Sequence, residues 1–230
     1  MLLQFILLII CAYLIGSIPA GYLATKWYRG TDIRKVGTGK IGAANVLNSG
    51  SKWLAVLVAL FDIGKGALVI WIAKLVGLSS AQQITVGLFA IVGHDWSVYL
   101  KFNSGGRGVF VSLGVISMIS WKMGLIAFVA PYLLFAPFKQ VALGVFSVFV
   151  SFPFLAYFFT EPLGVPDKVA ITWGFAVLAL IGLLARTAVR RTALSKNTPL
   201  GKIIFYRLLF DRDIGDRWLW NSRASTSKVQ

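Results

Sequence analysis

Apolar residues along this chain come in long, nearly unbroken runs, covering residues 2–24, 53–77, 84–100, 107–121, 123–138, 141–160 and 169–185. Runs of this length predict helices that cross a lipid bilayer. A hydrocarbon core of about 30 Å takes about 20 helical residues, and a backbone inside it must satisfy its own hydrogen bonds. The expected fold class is therefore all-α: a polytopic integral membrane helical bundle of about seven transmembrane helices. Only Ser120, Trp121 and Lys122 separate the fourth and fifth runs, and His94 and Asp95 interrupt the third, so the pattern alone leaves five or six full spans open.

Composition points the same way. Of 230 residues, 57% are hydrophobic and 13% charged, and the mean hydropathy is +0.78, unlike a soluble domain. No Lys or Arg precedes the first run, the first being Lys26, so it is expected to stay attached rather than to be cleaved as a signal peptide. The positive-inside rule favours an N-terminus outside and a cytoplasmic C-terminus. In that orientation the inner segments hold most of the 23 Lys and Arg residues, leaving only Lys65, Lys74, Lys122 and Lys168 elsewhere. The expected location is the cell inner (plasma) membrane, multi-pass. A net charge of +15 would suggest nucleic acid in a soluble protein. Here the basic residues flank apolar spans, so membrane lipids with anionic headgroups are the expected partner and nucleic acid is not. Cys11, the single cysteine, lies within the first run and forms no intrachain disulfide.

The chain divides into a bundle over 1–185, with long or glycine-rich cytoplasmic loops at 25–52 and 101–108, and a basic cytoplasmic tail over 186–230. In the tail, "LGKIIFYRLLF" reads as a helix on the membrane surface, and the last ten residues, "NSRASTSKVQ", as disordered. There is no internal repeat, which argues against a transporter.

Two glycine clusters carry the candidate chemistry. In "VGTGKIGAAN", Gly37, Gly39 and Gly42 have the spacing G-x-G-x-x-G. A dinucleotide fingerprint also needs a strand before it and an acidic residue about 20 positions on, neither of which is present. What survives is the underlying physics: glycines let backbone N–H groups converge on an anion that a nearby lysine, Lys40, neutralises. The alternative is a merely flexible loop. The second cluster, "GHDWSVYLKFNSGGRGV", places Gly105, Gly106 and Gly108 around Arg107, which can grip phosphate oxygens bidentately, with Lys101 adding a point charge. Two anion-holding loops on one face suggest phosphorylated substrates. His94, the only histidine, precedes the second loop and is either structural or a general base on a hydroxyl. Asp62 and Lys65, three residues apart in the second run, read as a structural ion pair at membrane depth. Pro19, with Gly16 and Gly21, is expected to kink the first helix and permit close packing.

Taken together, "GSIPAGYLATK", "DIRKVGTGKIGAANVLNSG", "DIGKG" and "GHDWSVYLKFNSGGRGV", spanning roughly residues 16–114, resemble in order and spacing the acyl-phosphate-dependent glycerol-3-phosphate acyltransferases of bacterial membranes, the PlsY type. The resemblance implies a seven-helix fold with its site at the cytoplasmic face. It also implies transfer of a fatty acyl group from acyl phosphate to the sn-1 hydroxyl of glycerol 3-phosphate, giving lysophosphatidic acid and inorganic phosphate. No metal, cofactor or covalent acyl-enzyme is implied. Position by position, Thr38 stands where the family has serine, Gly39, Asn45, His94, Arg34 and Lys101 match, and Arg107 replaces a lysine. On that basis His94, Thr38 and Asn45 are the catalytic candidates, with Arg34, Gly37, Gly39, Lys40, Lys101, Gly105, Gly106, Arg107 and Gly108 holding substrate phosphate.

The sequence also departs from the family. Lys40 replaces an asparagine, Ala44 a threonine and Asn48 an arginine, and Ser104 lengthens the second loop by one residue. The family's third motif, with histidine, asparagine, arginine and glutamate, is not recognisable. "ARTAVRRTALSKN" offers Arg186 and Thr187, and "YRLLFDRDIGD" offers Arg207 and acids. Lys40 and Arg190 are candidate basic replacements. The competing reading is a paralogue that binds lipid or a phosphorylated ligand without turnover, or acts on a different polyol phosphate.

Overall fold

Proline lacks a backbone N–H and disfavours helix in the residue before it, and at Pro19 this divides the first apolar run. In the computed structural model, which describes residues 2–49, 51–103, 105–188, 195–216 and 219–220, α1 (Leu2–Ser17) stops before the Ile18–Pro19 step and α2 (Ala20–Arg29) resumes after it. Ser104, Arg190 and the terminal stretch 221–230 lie outside the described residues. The break leaves carbonyls without helical donors, and other elements fill them. Lys65 Nζ donates to Gly16 O at 2.8 Å and Ile18 O at 3.2 Å, and Ser97 Oγ donates to Ser17 O at 2.6 Å.

The remaining order is a 3₁₀ turn (Ile33–Lys35), the short α3 (Ala43–Asn48), α4 (Lys52–Leu75), α5 (Ser80–Asp95), a second 3₁₀ turn (Val98–Leu100), α6 (Val109–Ile119), α7 (Trp121–Phe135), α8 (Val141–Phe158), α9 (Lys168–Thr187) and α10 (Leu200–Phe210). Among the described residues there is no strand, so the molecule is an all-helical membrane protein. The stretch Leu2–Arg29 and the helices α4, α8 and α9 are long and apolar enough to cross a bilayer, whereas α6 and α7 are shorter apolar helices. Each of the seven expected runs is helical, but length alone marks four as spans. Serine caps sharpen the divisions: Ser79 and Gln82 form a capping box that opens α5, and Ser120 ends α6 and caps α7 by accepting from Met123 N–H.

Helices approach closely where glycine removes a side chain from both surfaces. A Cβ on Gly16 would lie 2.0 Å from Ala90 O and one on Gly93 2.2 Å from Tyr13 O, locking α1 to α5. Likewise a Cβ on Gly66 would lie 2.2 Å from Val111 O and one on Gly114 2.1 Å from Ile63 O, locking α4 to α6. The main apolar core lies between these helices. A second, smaller core of Ile33, Val36, Ile41, Val46, Leu54 and Val58 pins the segment after α2 onto α4, so the first glycine loop rests on a packed base. At the opposite end, Lys74 donates to Met118 O and Lys122 to Pro162 O.

Candidate active site

Asn45 is the hub of the first glycine loop. It is 2% exposed, and its Nδ2 lies 3.2 Å from Ile33 O, 2.9 Å from Val36 O and 2.8 Å from Lys40 O, while its Oδ1 accepts from Thr38 N–H at 3.0 Å. A loop wrapped this tightly needs left-handed backbone. Gly37 and Gly39 have φ of 55° and 72°, and a Cβ on Gly37 would lie 2.3 Å from Asn45 Oδ1. The loop's glycines are thus demanded by the asparagine they enclose.

The second glycine loop is built against the first. Ile41 N–H donates to Gly105 O at 3.3 Å, and Gly106 N–H to His94 O at 2.9 Å. Both loops therefore face one cleft of about 160 Å³. Thr38, Asn45 and Asn48 line it from the first loop and α3, and Arg107 from the second. Two further walls come from places the motifs did not mark: Lys139 and Gln140 in the turn before α8, and Phe210, Asp211, Arg212 and Trp220 in the C-terminal segment. Lys139 was visible only as one more cytoplasmic cation, and Asp211 only as one acid among several in "FDRDIGD".

The other expected residues lie around this cleft rather than on its wall. Arg34 is held by Asp32, with Nη2 2.7 Å from Oδ2, and stacks over the Tyr22 ring at 4.7 Å. The Arg34 hydrogen bond holds the Asp32 carboxyl below its usual range, and Asp32 in turn raises Arg34. Lys101 is exposed and left-handed, with φ of 52°. Gly108, with φ of 61°, is the N-cap of α6. Lys40 is 7% exposed. Burial pulls it down to about 8, Arg107 pushes the same way, and Asp95 and Asp211 oppose the shift.

His94 lies behind the second loop, 4% exposed. Its Nε2 faces Gly106, where an added Cβ would come within 1.8 Å. Its Nδ1 is 2.9 Å from Lys65 Nζ, which is itself 2.9 Å from Asp62 Oδ1. An ammonium donates and cannot accept, so this contact places the neutral ring's own proton on Nε2. The Asp62–Lys65 pair is thus the rear of a chain that runs through His94 to the backbone of the second loop.

The C-terminal segment is stitched to the bundle by a reciprocal arrangement. Arg186 at the end of α9 donates to Leu208 O and, at 3.0 Å, to Ala142 O, while Arg207 of α10 donates to Thr187 O at 2.9 Å. Arg207 also pairs with Asp213 at 2.8 Å, and Asp213 accepts from Ser195 Oγ at 2.9 Å. The two tail stretches, separated by some twenty residues in sequence, meet beside the cleft.

The profile of the family described as glycerol-3-phosphate acyltransferase matches residues 6–193. Glycerol-3-phosphate acyltransferase 4 of Dehalococcoides mccartyi (strain CBDB1) is 41% identical over 223 residues, spanning 97% of this chain and 95% of its own. Glycerol-3-phosphate acyltransferase 5 of D. mccartyi (strain ATCC BAA-2266 / KCTC 15142 / 195) is 40% identical over 225 residues, spanning 98% and 96%. The crystal structure of PlsY (YgiH), an integral membrane glycerol 3-phosphate acyltransferase, in its glycerol 3-phosphate form superposes with a TM-score of 0.71 at 31% identity, covering 80% of this chain and 88% of that one. Its lysophosphatidic acid form gives 0.69 at 30% identity over the same shares. This chain belongs to the glycerol-3-phosphate acyltransferase family.

Proposed function

We propose that this protein transfers a fatty acyl group from acyl phosphate to the sn-1 hydroxyl of glycerol 3-phosphate at the cytoplasmic face of the inner membrane. The observation that carries the reading is the Ile41 N–H to Gly105 O hydrogen bond, which joins two glycine loops into one cationic cleft. Beside that cleft, α6, α7 and α8 enclose a largely apolar groove lined by Val109, Phe110, Leu113, Phe128, Val145 and Phe149 among others, with Tyr132 as its polar side chain. Val109 is two residues from Arg107, so the groove adjoins the phosphate seat and takes the acyl tail of the donor.

The glycerol hydroxyl oxygen attacks the acyl carbonyl carbon, and the carbon–oxygen bond to phosphate breaks with its electron pair leaving on phosphate. Lys40 and Lys139 offset the negative charge gathered on that group, while Arg107 receives the phosphate of the glycerol 3-phosphate acceptor. Thr38 Oγ1 donates to a phosphate oxygen, and Asn45 fixes the loop that presents it. The remaining sites in the set, Arg34, Lys101 and the glycines Gly37, Gly39, Gly105, Gly106 and Gly108, shape and surround the phosphate seat. With a proton on Nε2 and a donor on Nδ1, His94 has no lone pair to offer, so the departing phosphate takes the hydroxyl proton and His94 acts as a positioning residue behind Gly106. Segments rich in Lys and Arg flank the cleft, which favours a cytoplasmic cleft, an outside N-terminus and anionic lipids around the rim.

Purified protein in detergent is expected to release inorganic phosphate from palmitoyl phosphate only when glycerol 3-phosphate is present. Folded protein that releases none would remove the assignment.

A further inference from the structure

Glycines flank Arg107 at 105, 106 and 108, so the adjacent positions of its own loop offer no side chain to brace it. Its partner comes from far along the chain: Nη1 pairs with Asp211 Oδ2. The pair is largely withdrawn from solvent, with side chains 14% and 21% exposed. It is also one-sided, since Arg107 Nε and Asp211 Oδ1 are both buried without a hydrogen-bond partner. One edge of the guanidinium is thereby held by Asp211 while its Nε is left without a partner.

Asp211 is itself firmly placed. It ends α10 in left-handed conformation, φ 59° and ψ 38°, with its N–H on Arg207 O at 3.1 Å. The Arg207–Asp213 pair brackets it on both sides, and Arg207 ties the turn to Thr187 O. A carboxylate on so fixed a backbone orients its partner rather than swinging away. This turn lies beyond residues 6–193, the part of the chain that the family profile matches.

We propose that Asp211 is a positioning residue for acyl transfer: it holds the Arg107 guanidinium over the Thr38–Asn48 side of the cleft, in the pose that receives the phosphate of the glycerol 3-phosphate acceptor. The inference rests on the function proposed above. It has a sign that simple electrostatics would not give. Removing a negative charge beside an anion site should tighten anion binding through space, whereas removing the support of the guanidinium should weaken it.

The test is calorimetric titration of glycerol 3-phosphate into the full chain in detergent, with steady-state kinetics alongside, for wild type, Asp211→Asn, Asp211→Glu, Arg107→Lys and the double variant. Asp167→Asn, a remote change at the start of α9 that keeps its cap, is the charge control. We expect Asp211→Asn to weaken binding about tenfold, the scale of one hydrogen bond to a charged group, and to raise KM in step while kcat changes less. Asp211→Glu should recover most of the affinity. Arg107→Lys keeps the charge and loses the fork, so it should match Asp211→Asn, and the double variant should lose no more than either. Unchanged or tighter binding in Asp211→Asn, or additive losses in the double variant, would overturn the proposal. If Asp211→Asn does not fold, wild-type affinity in Arg107→Lys would overturn it instead. Wild type that binds the acceptor yet releases no phosphate would defeat the function and leave standing only the positioning of Arg107 by Asp211 for acceptor binding.

Discussion

Single residues here are defined by what encloses them. Asn45 was legible as a site candidate from its motif, but that its amide is spent on three carbonyls and Thr38 N–H depends on how the loop folds round it. His94 was legible as a histidine near phosphate loops. Its tautomer follows from Lys65, 29 positions away, and no local pattern gives that distance. Lys40 shows the same dependence in its acidity. With its value near 8, it is cationic below that pH and neutral above, so its help in holding an anion is present at lower pH and lost as pH rises. The rate at saturating donor should therefore fall along an alkaline limb centred at about pH 8. Lys40→Arg, whose guanidinium stays charged throughout this range, should remove that limb. A limb that persists in Lys40→Arg would assign it to another group.

At the level of elements, apolar run length predicts helices well because a bilayer makes helix the cheapest way to satisfy a backbone. It predicts their ends less well. Pro19 splits the first run and Ser120 divides the fourth from the fifth, both through local hydrogen-bond chemistry, leaving α6 at 11 residues and α7 at 15. Which helices touch is decided by glycine pairs. Gly114→Val should push α6 off α4 and lower the thermal unfolding midpoint in detergent by several degrees, in line with overpacking costs of about 1–3 kcal/mol. Gly64→Ala on the same α4 meets nothing within 4 Å, so its midpoint should stay unchanged or rise, as alanine is the better helix former. Equal losses in the two variants would show that helix propensity, not contact, controls α4.

Across the whole molecule, the cleft gathers one face: two glycine loops, the turn before α8 and the segment after α10. The orientation proposed above puts that face in the cytoplasm and the α4–α5 and α8–α9 turns outside. In a Cys11→Ser background, cysteine at Lys139 should react with a membrane-impermeant maleimide only in inside-out vesicles, and cysteine at Gly77 or Glu161 only in right-side-out cells. Labelling of position 139 only from outside and 161 only from inside would reverse the topology, and labelling of both from one side would deny that α8 crosses the bilayer. The tail helix α10, expected to lie on the membrane surface, has Arg207 buried and paired with Asp213. Its apolar residues Leu200 and Phe205 remain exposed.

By itself the sequence determined that this is a helical membrane protein, which residue types gather at its basic face, and which family's ordered motifs it carries. Those properties are additive along the chain: hydropathy, charge and short-range spacing need no knowledge of distant contacts. Only the tertiary structure decided that the two glycine loops share one cleft, that Lys65 reaches His94, and that Asp211 returns to Arg107 from 104 positions away. Pairings at such separations depend on how close neighbouring helices can approach and on which buried polar groups must find partners, and both are settled by packing in three dimensions rather than by order along the chain.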